Sequence, residues 1–197
     1  MGRSSPGGRR SAGRRAPPPA AETASTGVGL APAPSLTSAT TPRVWQGTGY
    51  RPLPEPSAAR ALFEFTAVPW PAHGRVALAW GAFAGGGDTA ERLVGAVVGE
   101  SEGRATLLHG PVVVERDDPL EIAAQLVAVA LDHATALGTD TIFARPLGLD
   151  RVWVRFGFIP VPEGTLPAAL AGRPGAGLYA WRGGSALWTL REAPREA

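Results

Sequence analysis

An apolar run, TLLHGPVVV, passes through ERDDPLEIAAQL into a long alanine-rich segment, and a second extended run, TDTIFARP, follows it. Nothing else in the chain constrains the fold so tightly. Across residues 118–137 the apolar side chains Ala123, Leu126, Val127, Ala130, Ala134 and Leu137 fall on one stripe at helical spacing, and Gly138 stands where a C-terminal cap belongs. The segment reads as strand, helix, strand. Many α/β proteins hold a phosphate at such a junction, because the first amides of a helix lack internal partners and carry a partial positive charge. Here the junction holds Asp117, Asp118 and Glu121. Asp118 suits an N-cap, Pro119 the first helical position, and Glu121, three residues after the cap, completes a capping-box pattern. The helix can therefore start without a ligand. Yet Leu120, Glu121, Ile122 and Ala123 still present backbone amides, and Arg116 offers a compensating charge. A plain cap and a modified phosphate site both stand at this point.

The flanking segments are orderly from Tyr50 onward. YRPLP is a short extended run, and EPSAARALFEFTAV carries Ala58, Ala61, Leu62 and Phe65 at helical spacing behind Pro56. Residues 74–85 and 92–101 are strand-like and joined by a Gly-rich connection suited to a hairpin; residues 104–114 form a third strand after the turn EGR. After TDTIFARP, LDRVWVRFG reads as a short helix and GFIPVP as an extended stretch. The final GLYAWRGGSALWTLRE looks like a hairpin turning at Gly183-Gly184. There is no internal repeat.

Residues 1–42 differ in kind. They are rich in Ser, Pro, Ala and Gly with almost no large apolar side chain, so they cannot offset the entropy of ordering themselves and are expected to be a disordered tail. Five arginines against Glu22 give this tail a charge of +4, leaving −2 for residues 43–197 against the overall +2. The high isoelectric point thus belongs partly to the tail. With 197 residues and 44% hydrophobic content, the rest suffices for one core and one domain. Cysteine is absent, which excludes disulfides, thiolate metal sites and a covalent cysteine intermediate. No apolar run reaches the roughly 18 to 20 residues of a membrane span, and residues 1–30 lack the apolar centre of a secretory signal, so a soluble, cytoplasmic protein is expected.

The order of a strand and helix, an antiparallel meander, then strand, helix, strand, short helix and strand resembles the GNAT superfamily of N-acetyltransferases. The resemblance covers roughly residues 50–161, and RVWVRFGFIPV is its most specific piece, similar to the family's helix that ends in a Gly-Phe pair. It implies an α/β (α+β) fold, with a mixed, mostly antiparallel central sheet flanked by helices, and transfer of an acetyl group from acetyl-CoA to an amine. The acceptor would be a small molecule or a protein amine, with no specific nucleic acid and no membrane.

On the resemblance, the coenzyme contacts fall at Val112, Val113, Val114, Arg116, Leu120, Glu121, Ile122 and Ala123. Only Ala123 matches the family's phosphate loop, with Asp118 in place of its Gln/Arg and Glu121 in place of its first glycine. The family's tyrosine, a donor to the departing thiolate, is replaced by Trp153, whose indole N–H is no usable acid. For the base that frees the attacking amine, the candidates are His109 and Glu115 on the third strand of the meander and Glu100 at the end of the strand before it. A histidine ordinarily changes charge in the useful range, which favours His109; His133 and His73 have weaker claims. No metal-ligand spacing occurs, and no metal is expected. A noncatalytic module of the same fold, binding a partner or a metabolite, is the alternative reading.

Overall fold

Long apolar strands with short turns dominate the middle of the chain, and they assemble into one eight-stranded sheet. The computed structural model describes residues 34–68, 70–71, 76–85, 90–171 and 187–190. In chain order the elements are α1 (Leu36–Ala39), β1 (Arg43–Trp45), β2 (Thr48–Pro52), a 3-10 turn (Pro56–Ala59) continuing into α2 (Arg60–Phe65), β3 (Val76–Ala84), β4 (Arg92–Glu102), β5 (Ala105–Val113), α3 (Pro119–Ala136), β6 (Thr141–Ala144), α4 (Asp150–Arg155), β7 (Phe158–Val161) and β8 (Leu187–Leu190). The strands lie in the order β1-β2-β3-β4-β5-β6-β8-β7. Every neighbouring pair is antiparallel except β5 and β6, which run parallel because α3 carries the chain back across the sheet.

The central helix packs its stripe as the spacing predicts. Ala123, Leu126, Val127 and Ala130 are fully buried against Trp80, Val97 and Leu108. Close approach is possible because β4 offers Gly95 beneath the helix: a Cβ there would lie 3.1 Å from the Leu126 side chain. The opposite sheet face is covered by the 3-10 turn and α2, whose Ala59 and Phe63 meet Ala96, Val98 and Val112. Phe63 also meets Trp70 edge-on at 5.2 Å between ring centres.

Several expectations need correction. The α2 stripe is shifted by one residue: Ala59 and Phe63 are buried, whereas Ala58 and Ala61 are exposed and Phe65 is 80% exposed. The 3-10 turn is the reason, since three residues per turn advance the phase relative to an α-helix. Leu137 lies past the end of α3 and is exposed. The described residues ahead of position 43 include α1. Ser35 caps α1 by accepting the Ser38 N–H, Ala39 is fully buried, α1 packs on α3, and Arg43 pairs with Asp132 of α3 at 2.7 Å. Residues 1–33 and the expected turn at Gly183-Gly184 lie outside the described residues.

Candidate active site

The β5–β6 pair holds together only at one end. Ala105 to Leu108 pair with Thr141 to Ala144, and beyond Leu108 the strand runs on to Val113 with no β6 partner. Two prolines explain the parting. Pro146 follows closely on β6, and Pro111 removes an amide from β5 where one residue too many faces β4, between the pairs Val98↔His109 and Ala96↔Val112. Gly110 makes the bulge possible, for at φ +88 its Cβ would lie 3.0 Å from the Val112 nitrogen and 3.1 Å from the Ala96 carbonyl oxygen. In the opening is a cavity of about 230 Å³, lined by Thr66, Val68, Pro111, Val112, Val113, Pro119, Leu147 and Leu149.

His109 is the first β5 residue past the point of parting. Its register partner Val98 belongs to the face covered by α2, and so does Glu100 two residues on. The side chains meet: His109 Nε2 and Glu100 Oε2 are 2.9 Å apart, with Glu100 1% and His109 11% exposed. Glu115 does not join them. It pairs with Arg92 at 2.8 Å, accepts the Arg116 N–H, and lines a separate cavity on the α3 side.

That second cavity, about 240 Å³, lies at the start of α3 between Trp45, Thr48 and Tyr50 on one side and Glu115, Asp117, Asp118 and Glu121 on the other. Burial, then the charge of Glu121, push the Tyr50 hydroxyl up to about 12. The expected capping box is not formed. Asp118 adopts a left-handed conformation, φ 48 and ψ 46, and its side chain caps nothing; its carbonyl oxygen accepts the Glu121 and Ile122 N–H groups instead, both at 3.0 Å. The Glu121 carboxylate is held by Gln125 at 2.8 Å and Arg155 at 2.9 Å, and these bonds keep it below the usual carboxylate range. Ile122 and Ala123 are buried. Of the amides expected to meet a phosphate, Leu120 is thus the most available, and the exposed Arg116 forms no ion pair among the described residues.

Positive charge gathers elsewhere. Arg151 and Arg155, one turn apart on α4, line a groove of about 170 Å³ with Leu120, Glu121, Ala124 and Val152. Sequence reading overlooked them, although their spacing in LDRVWVR places both on one helical face. Trp153, at the position of the family's tyrosine, is fully buried against Phe158, ring centres 4.8 Å apart, and its Nε1 has no hydrogen-bond partner among the described residues. His133 is structural: its Nδ1 accepts the Trp80 Nε1–H at 3.1 Å, and burial lowers its pKa. His73 lies outside the described residues. Among the described residues no group of three His, Asp or Glu converges as a metal site, and no helix is long and apolar enough to cross a membrane.

No protein-family model matches the sequence, and no curated protein matches it. Solved structures do. The chain is similar to N-acetylglutamate synthase from Neisseria gonorrhoeae, solved with coenzyme A and N-acetyl-glutamate, at 16% identity over 76% of this chain and 35% of that one, with a TM-score of 0.51. It therefore spans about a third of that chain's length. It is also similar to a probable GNAT-family acetyltransferase from Chromobacterium violaceum, at 14% identity over 88% of this chain and 96% of that one, with a TM-score of 0.48. With its mixed sheet, a single parallel pair and helices on both faces, the chain has the fold of the GNAT acetyltransferases.

Proposed function

We propose that the chain is an acyl-CoA-dependent N-acyltransferase that moves an acetyl group to an amine on a small molecule or a protein, as a cytoplasmic enzyme. The observation that carries this reading is the parting of β5 from β6 just past Leu108: His109, 11% exposed, begins the stretch of β5 that has no β6 partner, and Pro111, Val112 and Val113 farther along it line a cavity.

The chain's groups fit such a co-substrate in two places. Val114 bonds to Val94 of β4, so Val112 also faces β4 and the alternate Val113 turns its strand edge groups toward the opening, where an amide-bearing pantetheine arm finds hydrogen-bond partners as an added strand would. Arg151 and the Leu120 amide offer positive charge to its phosphates, and Arg155 joins them once it exchanges its bond to Glu121 for the ligand. Acyl-CoA contributes the activated thioester. His109 takes the proton that an ammonium must lose before its nitrogen can attack. Trp153, buried and without an acidic proton, leaves protonation of the departing thiolate to water. The noncatalytic alternative draws on that same missing tyrosine and on the carboxylates around Asp118.

The test is thiol release from acetyl-CoA in the presence of a panel of amines. Amine-dependent release by the parent protein, falling about a hundredfold in His109→Gln, supports the transferase. Coenzyme binding with no release for any amine favours the module.

A further inference from the structure

We propose that Glu100 is a positioning residue: its buried carboxylate holds the His109 ring with the proton on Nε2, leaving Nδ1 as the atom that accepts the proton of the incoming amine. This rests on the transferase reading. The two residues come from adjacent strands, and the register itself brings them together, since Val98 pairs with His109 and Glu100 with Leu107. An ionised carboxylate only accepts, so the ring nitrogen 2.9 Å from it carries a hydrogen and the other nitrogen of a neutral ring has the lone pair. Glu100 is 1% exposed, in a place where a carboxylate is costly unless its partner repays it.

Among the described residues Glu100 is the charged group that touches the His109 ring. On the overlying α2, Arg60 and Glu64 pair with each other at exposed positions, and Arg145, past the end of β6, engages Glu163 through two bonds of 2.5 and 2.9 Å. In the reaction Nδ1 removes one proton from the acceptor's ammonium, and the freed nitrogen lone pair forms the bond to the thioester carbonyl carbon. The C–S electron pair leaves with sulfur, the second nitrogen proton ends on that sulfur through water, and the proton on His109 passes to solvent.

The experiment combines imidazole ¹⁵N NMR with kinetics on the full chain. With three histidines the ring signals are few, and His109→Asn identifies one of them. The parent should show His109 protonated at Nε2 alone. Glu100→Gln should lower the titration midpoint of His109, shift the acid limb of kcat/KM by the same amount, and cut kcat at least tenfold, with KM for acetyl-CoA within twofold. In a His109→Asn background Glu100→Gln should cost nothing further in kcat, because two groups that act as a unit are not additive. If Glu100→Gln does not fold, Glu100→Asp replaces it and must keep the parent tautomer. A Nδ1–H tautomer in the parent, an unmoved midpoint, or additive losses would overturn the proposal. If NMR shows the pair intact but the parent binds no acetyl-CoA and acylates no amine, the transferase reading fails and the catalytic role of Glu100 falls with it.

Discussion

His133 and Glu121 show how burial and hydrogen-bond partners set what a single side chain does. His133 sits near the end of a helix, where a histidine is easily taken for a solvent-facing residue, yet it is 9% exposed and serves as acceptor for the indole of Trp80. Burial holds its folded pKa below the ordinary value. The unfolded chain therefore binds the proton first as pH falls through about 6.5, and this group's share of stability, complete above that pH, declines below it. His133→Leu should destabilise by about 1 to 3 kcal/mol at pH 8 through the orphaned indole, and thermal melts should then lose part of their dependence between pH 7 and 5. For Glu121 the sign is the opposite case. Its folded pKa is depressed, so its stabilising bonds to Gln125 and Arg155 are present above the ordinary carboxylate value and vanish as pH falls through the folded one. Glu121→Gly should weaken the fold by roughly 1 kcal/mol, mainly from helix propensity, while releasing Arg155. Melts paired with coenzyme titrations separate the two effects.

At the scale of elements, what could be read in advance was what depends on local periodicity. The α3 stripe and the meander strands have strong patterns, and observed boundaries differ from expected ones by one or two residues. Position on a face was harder. Leu107 and Val112 are buried on the sheet face away from α3, because strand side chains alternate and both faces of this sheet are covered. The α2 phase was lost to a 3-10 turn that no spacing reveals. The capping box failed because Asp118 takes a left-handed conformation, and β5's bulge was invisible although Gly110-Pro111 is its chemical cause. Leu126, fully buried over Gly95, is the most direct test of the central packing: Leu126→Ala should cost about 2 to 5 kcal/mol in denaturant unfolding. A loss below half a kcal/mol would mean the face is wrongly assigned.

For the molecule as a whole, the site arises from long-range placement. His109 and Glu115 are near neighbours in sequence but open on opposite sides of the sheet, while His109 and Glu100, on different strands, touch. Charge follows the same logic: the start of α3 is acidic, and the fold brings Arg151 and Arg155 of α4 alongside it. The N-terminal boundary is likewise a tertiary matter, since Ala39 is held by packing on α3 and not by any composition signal. Deleting residues 1–33 should leave the melting temperature unchanged. Deleting residues 1–42 should lower it by a few degrees, since α1 and its buried alanine are lost. Acyl-CoA recognition is the claim on which the functional account rests, and calorimetric titration with acetyl-CoA at fixed ionic strength tests it most directly. The account predicts saturable one-to-one binding by the parent, weakened about tenfold or more in the Arg151→Ala, Arg155→Ala double variant, with the loss shrinking as salt screens the phosphate contacts. No binding heat from the parent at millimolar acetyl-CoA would contradict it.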